Sequence, residues 1–276
     1  MGMIRGILLS MAAPAAMLGY SQVPFTLDTT FRTELTQRNM NSILIREDSK
    51  VIASGIMRFP GDMSDRAGAL FQEDGSRDLS FANVAPMGGK ITPWADRMYV
   101  GNGQGMRRLW LDGTLDASFN MVSAPYFSPI QGGDHHVYPD GRVLFSGTHQ
   151  LSDAAHGFVG NYNLVWFSNQ GYLDTTRVHK QGNGPIYRFG QYLDGGFLCS
   201  SNASVYEGQP VDKIFRVDSL GVLDTAFHSH VYLGRAYAFL PLPDGRMYAA
   251  GTFWRTDSPP ESLWLVRFMP DGSDSS

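Results

Sequence analysis

One cysteine, Cys199, is all that the 276-residue chain contains. That excludes an intramolecular disulfide framework and a zinc site built on cysteines. Charge is scarce too. Only 17% of residues are Asp, Glu, Lys or Arg, below the roughly 25% of an ordinary soluble domain. The 22 basic and 26 acidic residues leave a net charge of -4, so no basic surface for nucleic acid is expected. After Gln22 no apolar run approaches the ~20 residues that span a bilayer, and no useful stretch carries a helical period. The Gly-x-Ser-x-Gly and His-Glu-x-x-His signatures of hydrolases and zinc proteases are missing. Low charge does not mean disorder here, because 43% of residues are hydrophobic and 12% aromatic, enough to bury a sizeable core.

The first residues read as an address. Arg5 supplies a positive charge, Gly6–Gly19 (GILLSMAAPAAMLG) is apolar, and small residues follow at Gly19 and Ser21. This is the layout of a secretory signal peptide. Residues 1–21 are therefore expected to be removed, with cleavage near Ser21–Gln22. Residues 22–276 are expected to form one domain, secreted or held at the cell surface and monomeric.

Glycine, by contrast, is plentiful at 31 residues, and its placement is periodic. A Leu-Asp mark recurs at Leu27–Phe31 (LDTTF), Leu115–Phe119 (LDASF) and Leu223–Phe227 (LDTAF), with weaker copies at Arg77–Phe81 and Leu173–Arg177. Its aspartates are Asp28, Asp78, Asp116, Asp174 and Asp224, spaced by ~50 residues, and Asp274 begins a sixth copy. A second mark is a turn, an apolar run and a small residue: Asp140–Gly147 (DGRVLFSG), Asp244–Gly251 (DGRMYAAG), Asp194–Ser201, Asp48–Gly55 and Asp96–Gly101. A third is an aromatic-rich run such as Tyr162–Phe167 or Leu263–Met269, ending in a turn such as Asp112-Gly113 or Asp271-Gly272. Asp-Gly between apolar runs signals a hairpin. Each unit is thus expected to hold about four strands, with segments such as Ser42–Ile45 and Tyr237–Leu242 innermost. The fold class is all-β, a β-propeller of about five four-stranded blades.

Asp-Gly-x-Leu-Asp-x-Ser-Phe, followed by Asp-Gly-Arg, three apolar residues and a glycine, resembles the delta-60 repeat. The likeness is strongest at Leu111–Phe119, Asp140–Gly147 and Asp244–Gly251. That resemblance implies a secreted bacterial β-propeller and assigns no general activity. The chain departs from the pattern at Glu47–Ser49, which lacks the glycine, at the shortened turn before Asp96, and at Arg177 in place of phenylalanine. The N-terminal Leu27–Phe31 copy is expected to serve as the outer strand of the last blade and so close the ring; the alternative is that the chain is a fragment of a larger propeller.

Few residues suggest chemistry. The Leu-Asp carboxylates are expected to shape turns by accepting backbone N–H bonds, with calcium binding as the alternative. Asp134-His135-His136 aligns with Ser42-Ile43-Leu44 on an inner strand, facing a central channel. A channel metal would need ligands from other units, and His179, His228 and His230 are the candidates. Trp110, Trp166 and Trp264 lie in third strands and are expected between blades. Trp94 and Trp254 lie nearer strand ends and are candidates for a ligand face. Gly101–Gly105 (GNGQG) lacks the spacing and the helix of a phosphate loop, and Cys199 is expected to be buried and inert. With no catalytic motif, a non-enzymatic binding or scaffold module for protein or glycan is expected, without a cofactor. The alternative is a propeller hydrolase or lyase with a metal or polar site in its channel.

Overall fold

The structure, a computed structural model, describes residues 28–82, 87–101, 105–257 and 261–274. The expected leader, residues 1–21, lies outside the described residues, as do 102–104 of the GNGQG segment. Strands dominate. Sheet 1 is β1 (Gln37–Ile45), β2 (Val51–Arg58) and β3 (Arg66–Phe71). Sheet 2 is β4 (Ile91–Trp94), β5 (Arg97–Gly101) and β6 (Met106–Trp110). Sheet 3 is β7 (Phe127–Val137), β8 (Val143–Asp153) and β9 (Phe158–Phe167). Sheet 4 is β10 (Ile186–Gln191), β11 (Phe197–Ser201) and β14 (Ile214–Val217), with a small hairpin, β12 (Val205–Tyr206) and β13 (Gln209–Pro210), inserted before its last strand. Sheet 5 is β15 (Val231–Pro241), β16 (Met247–Arg255) and β17 (Leu263–Phe268). All pair antiparallel in chain order.

The expectation of four strands per unit is corrected, because each of these sheets has three. The Leu-Asp segment makes one bridge to the third strand and no more: Phe71–Arg77, Leu109–Leu115, Phe167–Leu173 and Val217–Leu223. The next residue, Asp, then turns the chain. Asp116 Oδ1, for example, accepts the Ser118 N–H at 3.0 Å and the Ser118 hydroxyl at 2.6 Å, and the backbone leaves the sheet. In the last unit Asp274 itself bridges Phe268, so it stands in the place of the leucine, not of the aspartate.

Both glycine marks have a steric cause. The Asp-Gly turn glycines, such as Gly141 (φ 81) and Gly272 (φ 89), are left-handed, which costs glycine least. Where the sequence lacks that glycine, Ser49 (φ 61) and Ala95 (φ 52) are forced into the same region. The strand-end glycines answer a different need. First strands carry an extra residue, at Met40/Ser42 in β1, Gly132/His135 in β7 and Ala236/Ala238 in β15. These bulges push a carbonyl over the second strand. A Cβ at Gly55, Gly147 or Gly251 would lie 2.0, 2.1 or 2.1 Å from the carbonyl oxygen of Asn39, Gln131 or Arg235. Gly251→Ala, whose backbone φ needs no glycine, should therefore cost about 1–3 kcal/mol through overpacking alone. Urea denaturation reads this directly, and an unchanged midpoint would show that the bulge yields freely.

Successive sheets pack face to face. Ile52 and Leu70 of sheet 1 meet Ile91, Met98 and Leu109 of sheet 2. Tyr99 of sheet 2 meets Val143, Phe145 and Val165 of sheet 3. Leu144 and Trp166 of sheet 3 meet Ile186, Phe197 and Cys199 of sheet 4. Leu198 and Ile214 of sheet 4 meet Ala236, Met247 and Phe253 of sheet 5. The short turn at Ala95–Asp96 shifts sheet 2 by one residue. Tyr99, not Met98, takes the face held by Ile52, Leu144 and Leu198, since a one-residue slip exchanges the two faces of a strand.

Described residues of the N-terminal copy serve sheet 1. The Arg32 N–H donates to the Asp74 carbonyl at 2.8 Å, and the Phe31 and Phe71 rings are 6.4 Å apart. Later copies do the same for the sheet that follows them, as in Ala82 to Asp112 and His228 to Asp271. The expected role for this copy, as outer strand of the last sheet, is filled instead by Asp274.

Candidate functional site

The first strands β1, β4, β7, β10 and β15 are neighbours in that order. Where they meet is a cavity of about 730 Å³ walled by residues from all five sheets. Bulges in the first strands turn their side chains into it. One position per unit can be compared, opposite Ser54, Gly101, Ser146, Ser200 and Ala250 of the second strands. It carries Ser42, Lys90, Asp134, Arg188 and Ala238. The second-strand positions alongside are uniformly apolar: Ile52, Tyr99, Leu144, Leu198 and Tyr248 on one face, and Ala53, Val100, Phe145, Cys199 and Ala249 on the other. The frame repeats and the cavity lining does not.

Lys90, Asp134 and His135 form the polar centre of one wall. Lys90 Nζ donates to Asp134 Oδ1 at 3.0 Å and to the His135 carbonyl at 2.9 Å. The His135 N–H donates to Asp134 Oδ1 at 2.8 Å, and His135 Nε2 lies 2.9 Å from Thr92 Oγ1. Burial first, then the Lys90 charge, push the His135 imidazole down to about 3, so it is neutral at physiological pH. His136 is pushed to about 4 by the same causes. Simple alternation would put Asp134 and His135 on opposite faces, but the bulge between Gly132 and His135 brings both toward sheet 2. His136 turns the other way, its ring 5.3 Å from Phe197 of sheet 4. Across the cavity, Arg188 is exposed and makes no ion pair among the described residues. Asn41 and Tyr237 complete the polar lining.

Other sequence candidates lie elsewhere. Trp94 is half-buried against sheet 3, and its indole N–H donates to the Pro139 carbonyl at 3.1 Å. Trp254 pairs with Leu233 on the outer face of sheet 5. Neither lines the cavity. Trp166 is buried between sheets, whereas Trp264 is exposed. His179 is buried beside Phe158 and Trp166, and His228 and His230 sit together ahead of β15, their rings 6.4 Å apart. Among the described residues no three His, Cys, Asp or Glu side chains are placed to hold a metal ion. Cys199 is buried, which pushes its thiol up and keeps it protonated.

The Leu-Asp carboxylates are occupied by their own chain. Oδ1 of Asp28, Asp78, Asp116, Asp174 and Asp224 accepts the N–H two residues on. In two copies Oδ2 meets a cation at close range: Lys50 Nζ donates to Asp78 at 2.8 Å and Arg108 Nε to Asp116 at 2.6 Å. The Lys50 hydrogen bond holds Asp78 well below the usual carboxylate range. A calcium ion, which takes six to eight oxygens, would have to displace these partners.

Sequence reading missed Lys90, Arg188, Asn41 and Tyr237. The signal was available. Aligning the units on their second strands exposes a column in which apolar uniformity gives way to Ser, Lys, Asp, Arg and Ala.

A family model described as "Domain of unknown function (DUF5122) beta-propeller" matches residues 242–273, which hold the Asp244–Gly251 hairpin and the Asp271-Gly272 turn. No curated protein matches the chain. Among solved structures, a protein of unknown function from Bacteroides caccae is 14% identical, over 86% of this chain and 80% of its own, with a TM-score of 0.45. A calcium-binding protein, regucalcin, from Agrobacterium tumefaciens strain C58 is 10% identical, over 89% and 77%, with a TM-score of 0.46. The matched repeat and the five small antiparallel sheets around one cavity make the fold an all-β, β-propeller fold.

Proposed function

We propose that the protein is a secreted or cell-surface binding module, non-enzymatic, whose central cavity takes an anionic group of a protein or glycan ligand. One observation carries this reading: at one equivalent position the lining carries Lys90, Asp134, Arg188 and Ala238 in four successive units, while the frame around them repeats. Packing alone asks the same of each unit, whereas one asymmetric ligand asks something different of each wall. The sign of the ligand follows from the lining. Asp134 is neutralised by Lys90, and the Arg188 guanidinium is left to offer a bidentate face to a carboxylate or sulfate. The enzyme alternative has no comparable support, since Asp134 is tied to Lys90 and His135 is packed against Thr92.

Surface plasmon resonance against matched acidic and neutral glycans and peptides tests the reading. Acidic members should bind and neutral ones should not. Arg188→Ala should weaken binding about tenfold or more without moving the melting temperature, because Arg188 is exposed and unpaired. Equal binding of neutral and acidic members, or an unaffected variant, would refute the site.

A further inference from the structure

Five sheets in a row have four interfaces between them, and all four are filled. Among the described residues no core cluster joins sheet 5 back to sheet 1. Two apolar faces are therefore left over, and repeat equivalence says what each is built to meet. On sheet 5, Leu265 pairs with Ala250 and stands where Leu164 pairs with Ser146 and Ile214 with Ser200. Leu164 and Ile214 are 0% exposed, but Leu265 is 62% exposed, and Leu240 and Trp264 beside it are exposed too. On sheet 1, Ile43 pairs with Ala53 and stands where Ile91, His135 and Phe189 stand in the next three sheets. Those are 7%, 2% and 7% exposed, but Ile43 is 60% exposed, with Ile45 beyond it.

The leftover face of sheet 5 is the kind that elsewhere receives the next sheet. The leftover face of sheet 1 is the kind that elsewhere packs on the sheet before. Repeat arrays normally cap such ends with polar faces to stay soluble, whereas Leu265 and Leu240 at one end and Ile43 and Ile45 at the other are apolar and exposed among the described residues. We propose that these two faces are the halves of one interaction surface, and that sheet 5 of one copy packs on sheet 1 of a second copy. The contact continues the interface already made four times within the chain. It is head-to-tail, so it builds a closed ring of copies or an open row.

Sedimentation velocity on the purified chain between about 1 and 100 µM should show concentration-dependent assembly, as expected of a contact the size of one sheet face. Leu265→Asp and Ile43→Asp each alter an exposed side chain, so both should melt at the wild-type temperature and both should be monomeric alone. Mixed in equal amounts they should recover a dimer. The intact sheet 1 of the first variant still fits the intact sheet 5 of the second. A wild type that stays monomeric at 100 µM overturns the proposal, because the faces are then bare or meet within one chain. So do variants that assemble like wild type, or a mixture that remains monomeric.

Discussion

Acidification from pH 7 to pH 5 should remove about 6 kcal/mol of folding stability, close to the whole of what holds a typical domain folded. Three fully buried histidines account for this, and the partly buried His136 adds to it. His149 is pushed to about 4 by burial, its ring stacked 4.7 Å from Phe145. His179 is also pushed to about 4 by burial, and His135 to about 3. An unfolded histidine titrates near 6.5. Each folded value lies below that, so the unfolded chain binds more protons between pH 6.5 and about 4. Stability is fully present above pH 6.5 and drains away as the pH falls through that window. The loss by pH 5 is about 2 kcal/mol per histidine. The local chemistry agrees. His149 Nε2 donates to the Ser146 carbonyl at 3.0 Å, and its buried Nδ1 has no acceptor for a second proton. His179 Nδ1 already accepts the Trp166 N–H at 3.2 Å, a bond that protonation abolishes. Urea midpoints at pH 7, 6 and 5 measure the slope. His149→Leu should flatten it by about a third, and a flat wild-type profile would mean that these rings reach water.

Asp116→Ala should cost about 3–5 kcal/mol, the usual result of stranding a buried charge. Arg108 and Asp116 are each 4% exposed. Arg108 donates to Asp116 Oδ2 at 2.6 Å, to Tyr99 Oη at 3.0 Å, to the Asn169 carbonyl at 2.7 Å and to Ser118 Oγ at 2.8 Å. Tyr99 Oη in turn donates to the Gly141 carbonyl at 2.8 Å. Asn169 and Gly141 belong to turns of sheet 3, so the network ties that sheet to sheet 2. Removing the carboxylate takes the counter-charge from two guanidiniums, the buried Arg108 and the partly exposed Arg97, whose Nε lies 3.1 Å from Asp116 Oδ2. Replacing the buried pair, with Arg108→Met and Asp116→Leu, should cost less than Asp116→Ala alone, because the buried Arg108 charge then disappears as well and only the partly exposed Arg97 loses its partner. If the double variant is the less stable one, the hydrogen bonds to Asn169 and Tyr99 matter more than the ion pair.

How far the sequence reached depends on the range of the interaction involved. The second-strand hairpins were legible because a left-handed turn and a carbonyl pressed on Cα both select glycine locally. The missing fourth strand was not. Leu-Asp looks like a strand in isolation, and only the Asp hydrogen bond two residues on shows that pairing stops there. Asp134 and His135 were singled out from a cluster in the chain, but their Lys90 partner comes from another unit. Leu265 shares its strand position with the buried Leu164 and Ile214, and nothing in its own sequence says that no described sheet packs on it.

Sequence alone, then, determined the repeat, the three marks of each unit, the all-β class and the inner strand that would face the cavity. These rest on contacts within one unit, and one unit is written in about 50 consecutive residues. Tertiary structure decided which side chains of different units meet, that Lys90, Asp134 and Arg188 line one cavity, the last two at bulges, and that two apolar faces remain at the ends of the described array. Those are contacts between units. The repeating code is nearly the same on both sides of every interface, so it does not record where the row of sheets stops.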